Sequence, residues 1–263
     1  MMQQQETLPA PKVSIVVPVY NAERFLEQTL QSVIQQDFTD WELLLINDCS
    51  TDNSVKIIQT HNDDKRIRLV NLEKNSGAAV ARNRGIALSR GKYIAFLDSD
   101  DIWMTDKLSK QVSFMEKDKH AFSFTEIRMT DEDGTPVSKV RSIPKKVDYR
   151  YLLHKTVIAT SSVMLDKAYF GDFSMPLRRS GQDYATWLML LRKAPYAYCL
   201  QEPLVNYRVV KNLCHQTNLQ VLNRYTTYKH QTNIFPDGVQ PTTPAVLHSM
   251  HSKSIFSDKI LPH

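Results

Sequence analysis

Three stretches in the first part of the chain, residues 13–17 (VSIVV), 42–46 (ELLLI) and 93–97 (YIAFL), are almost unbroken apolar runs rich in branched and aromatic side chains. Runs of this kind mark strands covered on both faces. Residues 66–72 alternate polar and apolar, which predicts another strand. Between these runs the period lengthens to that of a helix. Leu26, Leu30, Val33 and Ile34 fall on one face, with Asn21 placed to cap their start. Residues 50–52 offer caps for a helix through Val55, Ile57 and Ile58. Residues 78–88 are alanine-rich and helical, closed by Gly91, and a further helix is predicted from about 105 to 116.

Strand and helix alternating in this way predict an α/β fold: a mostly parallel sheet, right-handed crossovers and helices on both faces. Ligands of such sheets bind beyond the carboxyl ends of the strands. Polar, chemically useful residues should therefore follow each apolar run, and they do. Tyr20 and Asn21 follow the first, Asp48 the second, and Asp98, Asp100 and Asp101 the run at 93–97.

The second half is more mixed. Residues 121–125 read as a strand, 131–134 (DEDG) as a hairpin turn and 137–140 as its partner. Residues 157–165 read as one further strand and 204–207 as a last one. Residues 182–192 predict a helix with Trp187, Leu188, Leu190 and Leu191 mostly inward. From residue 213 apolar density falls; Leu219, Leu222 and Tyr225 fit one weak amphipathic helix, and beyond Pro236 a poorly packed tail is expected.

Composition narrows the function classes. The 263 residues, 42% of them apolar, are enough for a sizeable core. Lys and Arg exceed Asp and Glu by 33 to 28, a net +5. That excess suits a polyphosphate ligand or an anionic membrane surface. It is too small and scattered for nucleic-acid binding. Three cysteines without C-x-x-C spacing argue against a disulfide framework or a structural zinc. The polar start lacks the apolar segment of a signal peptide, and no run is long enough to span a bilayer. The expected location is cytoplasmic, with peripheral contact at the inner membrane face compatible with the charge.

Asp98-Ser99-Asp100-Asp101 carries the sharpest chemistry. Carboxylates crowded at a strand end repel unless they share a cation, and hard oxygen donors suit Mg²⁺ or Mn²⁺, whose other ligands come from water and phosphate. The same cluster also reads as an acidic turn with Asp101 capping the next helix. Asp48 is either a turn residue or an acceptor for a nucleobase or ribose in the crevice. Tyr20, after Pro18, fits a base-stacking residue or a core tyrosine. Ser76-Gly77 opens a helix with Arg82 one turn in, a combination that can receive a diphosphate. Asp183, opening the 182–192 helix, is either a stabilising charge or a general base. No G-x-G-x-x-G or Walker-type loop occurs, which argues against dinucleotide and P-loop enzymes.

Taken together, Pro18-Val19-Tyr20-Asn21, Asn47-Asp48, Asn75-Ser76-Gly77 with Ala81-Arg82-Asn83, Asp98-Ser99-Asp100-Asp101, and Gln182-Asp183 with Trp187-Leu188 resemble glycosyltransferase family 2 in order and approximate spacing. The resemblance covers roughly residues 13–208 and is strongest to bacterial cell-surface polysaccharide enzymes of the teichuronic-acid biosynthesis type. It implies a GT-A fold and an inverting transfer of sugar from a nucleoside diphosphate, usually uridine, to a saccharide or lipid-linked acceptor. Pro18, Tyr20, Asn21, Asp48, Arg82 and Asp98 would serve the nucleotide, Asp100 a Mn²⁺ or Mg²⁺ ion, and Asp183 would be the catalytic base. The chain would then comprise a disordered segment 1–11, a nucleotide-sugar half 12–118, an acceptor half 119–212 and a tail 213–263. The Q-x-x-R-W signature of processive relatives is absent, so one sugar per encounter is expected. Past Tyr207-Arg208 the family pattern gives way to Lys211-Asn212-Leu213-Cys214-His215, where His215 is a metal-ligand candidate or a surface residue. A sugar nucleotidyltransferase would need a glycine-rich basic loop that Pro18 to Asn21 does not offer. A binding homologue without turnover is the remaining alternative.

Overall fold

The computed structural model describes residues 9–137, 143–178 and 180–209. The described residues all belong to one compact unit. Expectations placed on His215, the weak helix near Leu219 and most of the 137–140 strand lie outside the described residues.

The first half follows the periodicity. Strand β1 (Val13–Val19), helix α1 (Leu26–Ile34), β2 (Trp41–Asn47), α2 (Ser54–Gln59), β3 (Ile67–Asn71), α3 (Ala78–Leu88) and β4 (Tyr93–Phe96) alternate in chain order. The four strands pair parallel in the order β3-β2-β1-β4. Because β3 and β4 leave β2 and α3 for opposite sides of β1, the order reverses there. The crevice beyond the carboxyl ends of β1 and β4 is the expected ligand site.

Period-two burial gives each face of this sheet its own partner. Val13, Ile15, Val17, Leu43, Leu45, Tyr93 and Ala95 join Leu26, Leu30 and Val33 of α1 and Ile58 of α2 in one core. Phe96 instead meets Trp187, with ring centroids 5.8 Å apart. Val16 packs so closely on α3 that a Cβ at Gly85 would overlap its Cγ1, which explains a glycine in mid-helix. At the opposite end of the strands, buried Glu42 accepts from Ser14 Oγ at 2.7 Å and from Arg90 N at 2.8 Å, tying β2 to β1 and to the segment before β4.

The second half adds β5 (Ile102–Trp103), α4 (Lys107–Asp118), β6 (Phe122–Thr130), β7 (Lys146–Val147), α5 (Tyr149–His154), a 3-10 turn at Thr160–Ser162, β8 (Met164–Asp166), α6 (Lys167–Phe170), α7 (Gln182–Leu190) and β9 (Ala197–Arg208). β8 pairs antiparallel with both β4 and β6, so the sheet continues from β4 through β8, β6 and β9 to β5. β6 and β9 are parallel, with register shifts at Thr125, Glu126 and Ile127, and β5 and β7 lie antiparallel to β9.

Three local expectations change. Residues 157–165 are not one strand: the run breaks into the 3-10 turn and the short β8. Its Ser162 hydroxyl turns back to Ala159 O at 2.7 Å, the local bond by which serine competes with a ladder. β9 runs twelve residues rather than four, absorbing Pro203 where the β6 register shifts. The 131–134 turn forms, with Gly134 N bonded to Asp131 O, but among the described residues the return is a single bridge, Thr130 to Pro136.

Candidate active site

The loops after β1 and β2 interlock before α1 and α2 begin. Asn21, at φ 48°, does not cap α1, which starts only at Leu26; its Oδ1 accepts from Thr51 N at 2.8 Å. Ala22 N donates to Ser54 Oγ and Glu23 N to Asp52 Oδ2, both at 2.9 Å. Asn53 N returns a bond to Glu23 Oε2 at 2.9 Å. This lattice leaves Tyr20 half exposed at the strand end, its ring accessible for stacking.

Asp48 is buried, and its two carboxylate oxygens accept from Ser76 N and Gly77 N, each at 2.7 Å. The sequence marks it as a turn residue or a nucleobase acceptor; in the structure it braces the start of α3 from a neighbouring strand end. Gly77 sits at φ 88°, a conformation that costs glycine nothing. A carboxylate offers about four lone-pair positions, so acceptor capacity remains on Asp48.

Asp98, Asp100, Asp101, Arg82 and Asp183 come together from three separate parts of the chain. Buried Arg82 reaches from α3 to Asp98, Nη2 to Oδ1 at 2.5 Å. Burial works against its charge, yet the carboxylates of Asp98, Asp183 and Asp100 outweigh that and raise its pKa. Arg82 is therefore the cation around which these acids gather, and its Nε has no partner among the described residues.

Asp101 does not cap α4. It is fully buried, accepting from Ser161 Oγ at 2.5 Å and from Arg208 N at 2.9 Å. Burial, then Asp100 and Asp98, push its pKa well up. Arg208 adds a bond to Asp100 O at 2.7 Å and one to Gln28 at 2.5 Å. Asp100 itself is raised to about 6, first by burial and then by the charge of Asp98, against the pull of Arg208 and Arg82. No side chain among the described residues donates to its carboxylate; Arg208 reaches only its backbone carbonyl. Among the described residues no three His, Cys, Asp or Glu side chains form a ready-made ligand cage. One carboxylate of this kind fits an ion that keeps waters and takes phosphate oxygens, the habit of Mg²⁺ and Mn²⁺.

Asp183 lies in the first turn of α7, entered through Gly181 at φ 72°. Its Oδ2 accepts from Thr160 Oγ1 at 2.9 Å. The next residue, Ser161, holds Asp101 and also receives Asp98 N at 3.0 Å. The 3-10 turn thus joins Asp183 to the acidic strand end. Sequence reasoning missed Thr160 and Ser161; the signal was four consecutive small or hydroxyl residues, Ala159 to Ser162, inside an apolar stretch. Tyr207 was missed as well. Burial and the charges of Asp101, Asp98, Asp100 and Asp183 raise its pKa, which places it beside the same acids.

A doubly wound half-sheet continued through antiparallel β8 into a mixed half, with carboxylates gathered beyond the end of β4, is an α/β fold of the GT-A type. The chain matches the model of glycosyl transferase family 2 over residues 14–175, more than half its length, and belongs to that family. It is a glycosyltransferase.

It is 45% identical over 203 residues to TuaG of Bacillus subtilis (strain 168), a glycosyltransferase whose name provisionally assigns it to teichuronic acid biosynthesis. That match spans 77% of this chain and 81% of TuaG. It is 38% identical over 181 residues, 68% of this chain and 70% of the relative, to WfgD of Escherichia coli, a UDP-Glc:alpha-D-GlcNAc-diphosphoundecaprenol beta-1,3-glucosyltransferase. Solved structures share the fold. TarS of S. aureus, determined with UDP, superposes with a TM-score of 0.64 at 19% identity, covering 85% of this chain and 67% of that one. The mannosyltransferase PcManGT of Pyrobaculum calidifontis, with GDP-Man and Mn²⁺, gives 0.57 at 16% identity over 89% and 66%. Among the described residues no helix is long and apolar enough to cross a membrane.

Proposed function

We propose that this glycosyltransferase moves a sugar, with inversion, from a UDP-sugar to a hydroxyl of a cell-surface polysaccharide or lipid-linked saccharide. The observation that carries the reading is the gathering of Asp98, Asp100 and Asp183 around Arg82, with Thr160 bonded to Asp183. The relatives support the substrate classes: WfgD is named for UDP-Glc and a GlcNAc-diphosphoundecaprenol acceptor, TuaG for teichuronic acid biosynthesis, and TarS was solved with UDP and with UDP-GlcNAc.

The donor's nucleoside lies against Tyr20 and Asp48, in the crevice that Pro18 and Asn21 border. Asp98, neutralised by Arg82, faces the donor. Asp100 would hold Mn²⁺ or Mg²⁺, and the ion, when bound, offsets the charge of the departing diphosphate. Asp183 has one oxygen held by Thr160. The other is left to take the proton of the acceptor hydroxyl as it attacks the anomeric carbon. One carboxylate base is sufficient, because inversion proceeds without a covalent intermediate.

The test is turnover of labelled UDP-sugars by the purified full chain, with a lipid-linked saccharide acceptor and with manganese or chelator. Sugar transfer that requires both the ion and a UDP donor supports the reading. Transfer unaffected by chelator, or only from a donor lacking a nucleoside diphosphate, would contradict it.

A further inference from the structure

The Thr160–Ser162 turn is gripped from the protein interior as well as from the carboxylates. Ser161 O accepts from Trp103 Nε1 at 2.8 Å, and Ser162 O from Gln111 Nε2 at 3.0 Å. Gln111 spends its other amide proton on Ser123 Oγ, also at 3.0 Å. Its carbonyl oxygen accepts from Lys107 Nζ at 2.7 Å. The same amine stands 3.9 Å from the centre of the Trp103 ring. Lys107 and Gln111 are both completely buried, one helical turn apart on α4.

A lysine in this position is costly. Among the described residues no carboxylate pairs with it: its helix neighbours Asp106 and Lys110 pair with each other, and Lys110 also with Glu202. Burial alone pushes the Lys107 amine down to about 7. An aliphatic side chain of similar length would fill the space without that penalty. What the amine supplies that a methyl cannot is direction. As an ammonium, Lys107 can only donate, and its bond then fixes Gln111 with the carbonyl toward Nζ and both amide protons toward Ser123 and Ser162. A reversed amide would set its oxygen against Ser162 O.

We propose that Lys107 is a positioning residue for the transfer reaction: through Gln111 and Trp103 it fixes the Thr160–Ser162 turn, and with it the hydroxyl that orients Asp183. This rests on Asp183 being the base. The amine stays three links from the reacting atoms and touches no substrate.

The experiment is a double-mutant cycle on the full chain, with circular dichroism and melting curves as folding controls. Lys107→Met and Thr160→Val should each lower kcat about tenfold to a hundredfold with the KM for the nucleotide sugar unchanged, the loss expected of a misaligned group. Because both act through one hydroxyl, the double variant should be no slower than the slower single variant. Normal kcat in a folded Lys107→Met protein, or losses that multiply in the double variant, would overturn the proposal. If Lys107→Met does not fold, Trp103→Phe replaces it in the same cycle, since it deletes only the bond to Ser161 O and keeps most of the ring. Asp183→Asn, assayed in parallel, separates the two levels: normal turnover there would remove the base assignment, whereas a dead Asp183→Asn beside a normal Lys107→Met would remove only the positioning role.

Discussion

Asp48→Asn isolates the residue that serves both the fold and the proposed nucleoside pocket. The native carboxylate accepts two backbone N–H groups at 2.7 Å each, in a buried setting. Asparagine keeps one acceptor and sets its own NH₂ against the second amide. One charge-assisted bond is lost and one buried donor is left without a partner, at a combined cost of about 2–4 kcal/mol. For a folded unit of this size each kcal/mol lowers the melting temperature by about 2–4 °C, so a fall of about 5–15 °C is expected. Melting should be followed by circular dichroism without ligand, and UDP affinity by calorimetry below the transition. Because Ser76 and Gly77 open the helix that carries Arg82, UDP affinity should weaken too. A variant that melts within a degree of the parent would refute the bracing role. One that melts lower but binds UDP normally would leave Asp48 a structural residue only.

Further outcomes follow from single contacts. Gly85→Ala should destabilise the protein by about 1–3 kcal/mol, read in urea melts, because the added methyl meets Val16 across the α3–β1 contact; an unchanged midpoint would contradict that packing. Asp100 is raised to about 6 in the folded protein. The folded state therefore keeps a proton that the unfolded chain releases near 4, and stability from this group is full at low pH and lost as pH rises through about 6. In chelator, Asp100→Asn should raise the melting temperature at about pH 7.5 and gain progressively less toward about pH 4.5, and a gain independent of pH would contradict it. Metal-dependent UDP affinity should also vanish in Asp100→Asn, measured by calorimetry with and without manganese.

The first half was legible because its chemistry is local. β1, β2 and β4 are apolar on both sides and read directly as covered strands, and α3 runs over the predicted residues 78–88. The acids at the end of β4 fall where a parallel sheet puts its ligands. What stayed hidden depends on partners distant in sequence. Asp101 looks like a cap until Ser161 and Arg208, sixty and more residues away, are seen to claim both its oxygens. Asn21 looks like a cap until the loop after β2 takes its side chain. Thr160 and Ser161 carry no periodic signal, and β-branched neighbours disguise their turn as a strand. β9 was shortened in the reading because Gln201, Glu202 and Pro203 interrupt its pattern, an interruption the parallel ladder with β6 absorbs as a bulge. Lys107 carries no pattern signal of its own, and only the docking of α4 buries it.

The central claim is that Asp183, though distant in sequence, works in the same cleft that binds the nucleotide. Asp183→Asn tests it most directly, with turnover and manganese-dependent UDP binding measured on one preparation. The account predicts transfer at least about a hundredfold slower, the scale of a lost general base, with UDP affinity within about twofold of the parent. Near-normal turnover in the folded variant would contradict it.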